Sequence, residues 1–232
     1  MTLQILPVAG IGHVAHGDDL SEILADALQP LRPSAGDVLV VTHKVVSKAE
    51  GRVVAIEGDE EQFKRALVES EASSIVRRRG DLIIAETKHG FICANAGVDR
   101  SNAEPGTMIL LPEDPDRSAH RIRLRLERRF GVDIPVIISD TFGRPWRRGL
   151  TDVAIGVSGL SAIVDLRGSM DWTGRELEVT EIAVADELAS AADLVMGKAS
   201  GIPAALVRGY EGPRGEGRGA DLVRPANEDL FR

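Results

Sequence analysis

Three short segments gather side chains suited to anions and hard cations. In ISDTFGRPWRRG, residues 138–149, Asp140 and Thr141 close an apolar run and three arginines follow. Asp140 and Thr141 offer the oxygen ligands that magnesium and manganese prefer. Arg144, Arg147 and Arg148 supply guanidinium forks for a clamp on phosphate or carboxylate. In NAGVDRSN, residues 95–102, Asp99 is a second hard ligand and Asn102 a reader of polar ligands. In THKVVSKAEGR, residues 42–52, Lys44 and Lys48 are point charges for phosphate. These two stand out because the other lysines among the 28 basic residues are Lys64, Lys88 and Lys198 alone. By pattern alone each segment also has a plain structural reading. The first is equally a strand-to-loop turn with a solvated basic face, the second a self-satisfied Asx turn, the third a lysine-guarded edge strand.

The elements that must position these residues are legible from periodicity. Residues 3–9 (LQILPVA) predict a strand, broken or at a sheet edge because Pro7 lacks a donor. A helix over 19–28 opens on Asp19 and Glu22, spaced as a capping box. DVLVVTHKVVS, 37–47, predicts one long β-branched strand, and 60–70 a helix. Residues 81–97 predict two strands joined by a tight turn at His89 and Gly90. A strongly basic helix runs over 118–130 to Gly131, and IPVIISD, 134–140, is a strand buried on both faces. An Ala-rich helix over 180–196 stops at Gly197, a last strand covers 202–209, and GPRGEGRG, 212–219, predicts a mobile loop. Strands and helices mix without strict βαβ alternation, which indicates mixed α/β to α+β architecture with helices flanking mixed sheets.

Composition removes several classes. A net charge of −8 argues against broad nucleic-acid binding. The single cysteine, Cys93, excludes a disulfide framework and sits in a predicted core strand. No apolar run approaches the roughly 18–20 residues that span a membrane, and no leader pattern is present, so a cytoplasmic location is expected. The chain has no P-loop motif, no HExxH zinc spacing and no GxSxG elbow. Gly10, Gly12 and Ala15 do match the dinucleotide pattern G-x-G-x-x-[GA], but Pro7 interrupts the strand before it and Gly17 to Asp19 delay the helix.

Taken in order, ILPVAGIGHVAHGDDL, VVSKAEGR, NAGVDRSN, SDTFGRPWRRG, GRELEVTEIAVADELASAADLVMGK and GIPAALVRG resemble the coenzyme F-420:L-glutamate ligase family from Gln4 to Gly209, with a weaker echo in NEDLFR. The resemblance implies a GTP-dependent γ-glutamyl ligase that joins L-glutamate to the deazaflavin coenzyme precursor through an acyl phosphate, giving GDP and phosphate. Some members add further glutamates. It implies a two-lobed catalytic unit, not a Rossmann fold, that forms an intertwined homodimer, uses magnesium or manganese with a monovalent cation as an option, and binds neither nucleic acid nor membrane. Carried over residue by residue, the GTP site comprises Ile11, Gly12, His13, Val14, His43, Lys44, Lys48, Asn102 and the loop Met196, Gly197, Lys198, Ala199, Ser200 and Gly201. Asp99 and Asp140 become metal ligands, with Thr141 serving a second cation. An acidic ligand of that second cation in archaeal relatives falls here at Lys198, whose ammonium cannot ligate metal and is read as a neutraliser of phosphate charge. Actinobacterial members carry a flavin-reductase-like domain after this module. Here the ligase domain is expected to span 1–232, as a standalone enzyme or an excised half. The rival readings are a nicotinamide-dependent reductase built on Gly10 and Gly12, and a nucleotide-binding module without chemistry.

Overall fold

The computed structural model describes residues 2–229; Met1 and the last three residues of NEDLFR lie outside them. Its strands are β1 (Gln4–Pro7), β2 (Val38–Thr42), β3 (Val53–Ala55), β4 (Ala72–Arg79), β5 (Leu82–Thr87), β6 (Ile92–Ala94), β7 (Thr107–Ile109), β8 (Val136–Arg144), β9 (Arg147–Ser158), β10 (Val164–Asp165), β11 (Glu181–Ile182) and β12 (Ala204–Arg208). The helices are α1 (Leu20–Leu28), α2 (His43–Ala49), α3 (Glu60–Glu71), α4 (Pro115–Phe130) and α5 (Val184–Met196).

The central sheet has the order β1-β12-β2-β8-β9. Only β2 and β8 run parallel; the other pairs are antiparallel. Strand periodicity splits β2 between two cores. Leu39 and Val41 face α1 and α4, among Leu24, Leu28, Ile122 and Leu126. Val38 and Val40 face α5, among Ala185, Leu188, Ala189 and Ala192. Both faces are therefore covered, which is why β2 and the first half of β8 read as unbroken apolar runs. A smaller lobe inserted between β2 and α4 holds β3 paired with β7, the β4-β5-β6 sheet and α3 around Val68, Ile83, Ala85, Met108 and Leu110. The mixed, two-lobed α/β expectation holds.

β1 is the edge strand that Pro7 called for, and it runs antiparallel to β12. Gly10 and Gly12, at φ 87° and 68°, thus follow an antiparallel strand and not the first strand of a parallel βαβ unit. Asp19 caps α1 by accepting from Glu22 N, while the Glu22 carboxylate turns to Arg125 of α4. Arg129 likewise meets Asp26, and Arg123 meets Asp133, so these arginines of the basic helix join elements and do not form an anion patch.

Several local expectations give way to tertiary structure. The strand predicted over 37–47 ends at Thr42, and His43–Ala49 is helix. The helix cost of Val45 and Val46 is a few tenths of a kcal/mol each, roughly, and burying both valines beneath the sheet outweighs it. The strand expected to end at Asp140 continues to Arg144 and pairs with β9, which Gly143, Pro145 and Gly149 had disguised as loop. β4 is a further strand without a predicted counterpart; its exposed SSIVRRR lacks alternation. α4 starts earlier, at Pro115 behind an Asp114 cap, and α5 starts later because 181–182 pair with β10. Segment 212–219 is irregular but held: Gly217 N donates to Leu160 O and Gly219 N to Asp116 Oδ1. Among the described residues no helix is long and apolar enough to cross a membrane.

Candidate active site

The site begins where β2 stops. The chain turns into α2 at Thr42, and two consecutive residues leave in different directions. His43, 1% exposed, points into the core; its Nε2 lies 3.2 Å from Asp140 Oδ1 and its Nδ1 3.4 Å from Ser47 Oγ. The Asp140 contact is close enough for an ion pair but lacks hydrogen-bond alignment, leaving Nε2 a buried polar atom with no bonded partner. Asp140 Oδ1 accepts instead from Thr141 N at 2.7 Å. Lys44 turns the other way and places Nζ 2.7 Å from Asp99 Oδ2 and 2.6 Å from Ser101 Oγ. One helix start thus addresses both predicted metal carboxylates.

Asp99 is further fixed by its own loop. Ser101 donates to it through N at 2.8 Å and through Oγ at 2.7 Å. Burial pushes this carboxyl up, but Lys44 and Ser101 outweigh burial and hold it down at about 2. The loop bends through Asn95, Ala96 and Asn102, all at positive φ, and Gly97 passes so close to Leu111 that a Cβ there would lie 2.5 Å from its side chain. Asn102 Nδ2 donates to Lys198 O at 3.4 Å. One turn along α2, partial burial pushes the Lys48 ammonium down, opposed by Glu104 and assisted by Lys44. Glu104 also meets His13, at 3.2 Å. The first loop therefore reaches the site through exposed His13, whereas Ile11 and Val14 are core residues and Gly12 supplies the bend between them.

The loop after α5 closes the ring. Met196 is fully buried, Gly197 ends the helix at φ 60°, and Ser200 Oγ donates to Met196 O. Residues 197–201, Ala199 and Gly201 included, are exposed. Lys198 folds back so that Nζ lies 2.8 Å from Asp152 Oδ1 and 3.1 Å from Asp193 Oδ1, and it donates to Thr141 Oγ1. Burial pushes Lys198 down, but Asp152 and Asp193 prevail and raise it. Thr141 Oγ1 donates to Asp152 at 2.6 Å, and Ser139 Oγ at 3.0 Å.

Asp152, Asp193 and Glu104 are site residues that sequence reasoning missed, whereas Ser101 belongs to the loop 95–102 that it singled out. A lone acid opening the apolar run DVAIGV was the available signal for Asp152, visible only once β9 is recognised as a strand. The arginines behave otherwise. Arg144 and Arg147 pair at the exposed tip of the β8–β9 hairpin, where Arg144 donates to Arg148 O at 3.4 Å. At ~3.3 Å per strand residue, the Arg144 backbone lies about 13 Å beyond Asp140, and its guanidinium turns to the Arg148 carbonyl and not to the carboxylates. Cys93 is buried, and burial together with the Asp140 charge pushes its thiol up to about 12, which removes it as a nucleophile.

Among the described residues no group of three or more His, Cys, Asp and Glu forms a complete metal cage. Asp99 beside Lys44 and Asp140 beside His43 are the carboxylates here that could each offer oxygen to a hard cation, and the His43 Nε2 without a hydrogen-bond partner lies next to the second of them.

Alternating lysines and carboxylates at the junction of two lobes are the equipment of an enzyme that handles anionic reactants. A family model for F420-0:Gamma-glutamyl ligase matches residues 10–209. Coenzyme F420:L-glutamate ligase of Methanopyrus kandleri is 46% identical over the whole chain and 98% of its own length. The enzymes of that name from Methanothermobacter thermautotrophicus and Methanocaldococcus jannaschii are 42% and 45% identical, over 100% and 92% of this chain and 100% and 90% of their own. This chain belongs to the F420-0:gamma-glutamyl ligase family and is an amino-acid ligase.

Proposed function

We propose that the chain forms a γ-glutamyl amide between L-glutamate and the coenzyme F420 precursor at the expense of GTP. The relatives' names supply the coupled partners, coenzyme F420 and L-glutamate. The observation that carries the chemistry is the pairing of His43 with Asp140 and of Lys44 with Asp99 at one helix start. A carboxylate is a poor acylating agent. Its oxygen attacks the γ-phosphorus of GTP, expels GDP and leaves an acyl phosphate; the glutamate amine then attacks the acyl carbon, expels phosphate and loses a proton. Asp99 and Asp140 would hold a magnesium or manganese ion, which would supply charge neutralisation for the nucleotide phosphates. Lys44 and Lys48 hold fixed positive charge beside the migrating group, and a partly desolvated Lys48 interacts with phosphate more strongly than a surface lysine does. His13, which meets Glu104, and the exposed loop 197–201 are the further residues in this reading for contact with the nucleotide.

The reading extends to a cytoplasmic homodimer. Leu150, 69% exposed at the hairpin tip beside Trp146, 81% exposed, supports burial of this tip against a second copy.

The test is a mass-spectrometric assay with the deazaflavin precursor, L-glutamate, GTP and manganese. One or more added glutamyl units with matched GDP release is the expected result. Product with GTP omitted, or stabilisation by NADH in place of GDP, would defeat this reading.

A further inference from the structure

We propose that Lys198 is a built-in cation: its ammonium fills an oxygen-lined pocket between β8, β9 and α5 that would otherwise hold a divalent metal ion. Three elements each supply an oxygen to Nζ: Thr141 Oγ1 from β8, Asp152 Oδ1 at 2.8 Å from β9, and Asp193 Oδ1 at 3.1 Å from α5. Two carboxylates and a hydroxyl are the hard donor set of a magnesium or manganese site. At its centre Asp152 is 1% exposed and accepts from both Ser139 and Thr141. An ionised carboxylate so deeply placed needs a positive partner, since an uncompensated buried charge is strongly destabilising. Lys198 is that partner. Its placement is built and not incidental: Gly197, at φ 60°, turns the chain back over α5, and Asn102 of the smaller lobe holds the Lys198 carbonyl.

An ammonium on the chain carries one charge and needs no capture from solution. The pocket is therefore closed to divalent ions, and the Lys198 carbonyl, which accepts from Asn102, ties this loop to the smaller lobe. The catalytic consequence rests on the ligase reading: one divalent ion, at Asp99 and Asp140, is required where a lysine-free pocket would take two.

The occupancy itself is tested without turnover. Manganese alone is titrated into the full-length protein by calorimetry, with free manganese counted by electron paramagnetic resonance. Lys198→Ala is expected to bind one more manganese per chain than the unaltered protein, and Lys198→Ala/Asp152→Asn to lose that gain. Equal stoichiometry in unaltered protein and Lys198→Ala, or a gain that survives Asp152→Asn, overturns the proposal. A second measurement needs no variant. Acetylation of Lys198, followed by peptide mass spectrometry, is expected to proceed at the same rate with and without saturating manganese. A manganese-dependent rise would show the ion displacing the ammonium and would overturn the proposal even if Lys198→Ala fails to fold. Either result leaves the glutamylation assay to stand or fail on its own.

Discussion

Lys44 and Asp99 meet at 2.7 Å, joining the start of α2 to the loop after β6 and so the larger lobe to the smaller. The pair is partly buried, with side chains 16% and 40% exposed, so it sits between a weak surface bridge and a costly interior one. Lys44→Met leaves the Asp99 charge with Ser101 alone. We expect a loss of about 1 kcal/mol in urea unfolding at pH 7, largely recovered when Asp99→Asn is added. A double-mutant cycle with no coupling would show the two residues acting independently.

Asp140→Asn is expected to abolish glutamyl transfer while leaving the fold intact. The amide keeps an oxygen for Thr141 N but loses the charge that offsets metal desolvation. Circular dichroism should match the unaltered protein, and product formation at limiting manganese should fall at least ~100-fold. Near-normal activity would remove Asp140 from the metal site.

Asp116 gives a pH-dependent prediction remote from the carboxylates of the site. Its Oδ1 accepts from Val157 N and Gly219 N, pinning the C-terminal segment onto β9. Burial pushes its carboxyl above the usual value, ahead of the two N–H donors that act the other way. A carboxyl raised on folding favours the native state below its unfolded pKa, and that contribution is lost as pH rises through the folded value. Asp116→Asn keeps the acceptor and removes the charge. It should be as stable as the unaltered protein, or more so, at pH 7, with a flatter stability profile between pH 4 and 7. Asp116→Ala should instead release residues 217–219 to rapid hydrogen exchange.

Gly156 lies where β9 passes under the start of α4. A Cβ there would lie 2.5 Å from the Pro115 carbonyl carbon and 2.6 Å from its oxygen, both backbone atoms that cannot swing aside. Gly156→Ala should therefore destabilise by about 1–3 kcal/mol in chemical unfolding. An unchanged unfolding midpoint would mean that α4 shifts freely on the sheet.

The hairpin tip predicts association. If Leu150 is covered by a second copy, Leu150→Glu should convert a dimer to monomer in sedimentation and remove the rise of the thermal midpoint with protein concentration. A monomeric unaltered protein would end the homodimer reading.

The sequence by itself determined the elements whose signals are local. Asp19 announces α1, Gly131 ends α4, Pro7 confines β1 to an edge, and the apolar run before Asp140 marks a strand covered on both sides. Its ordered motifs also determined the family, because they preserve residue identity along the chain without needing to know how it folds. Tertiary structure decided the rest. His43 to Ala49 carry strand-like valines yet form a helix, since in that form the valines find a core beneath the sheet. Asp152 reads as an ordinary strand acid until β9 pairs with β8 and α5 brings Asp193 and Lys198 onto it. The arginines after Asp140 look convergent in sequence, but extended backbone carries them away from it at about 3.3 Å per residue. Short-range patterns set secondary structure because caps, turns and periodicity act over a few residues. Polar partners 46 or 57 positions apart, as Lys198 is from Asp152 and Lys44 from Ser101, are chosen only when the sheet and its two layers close.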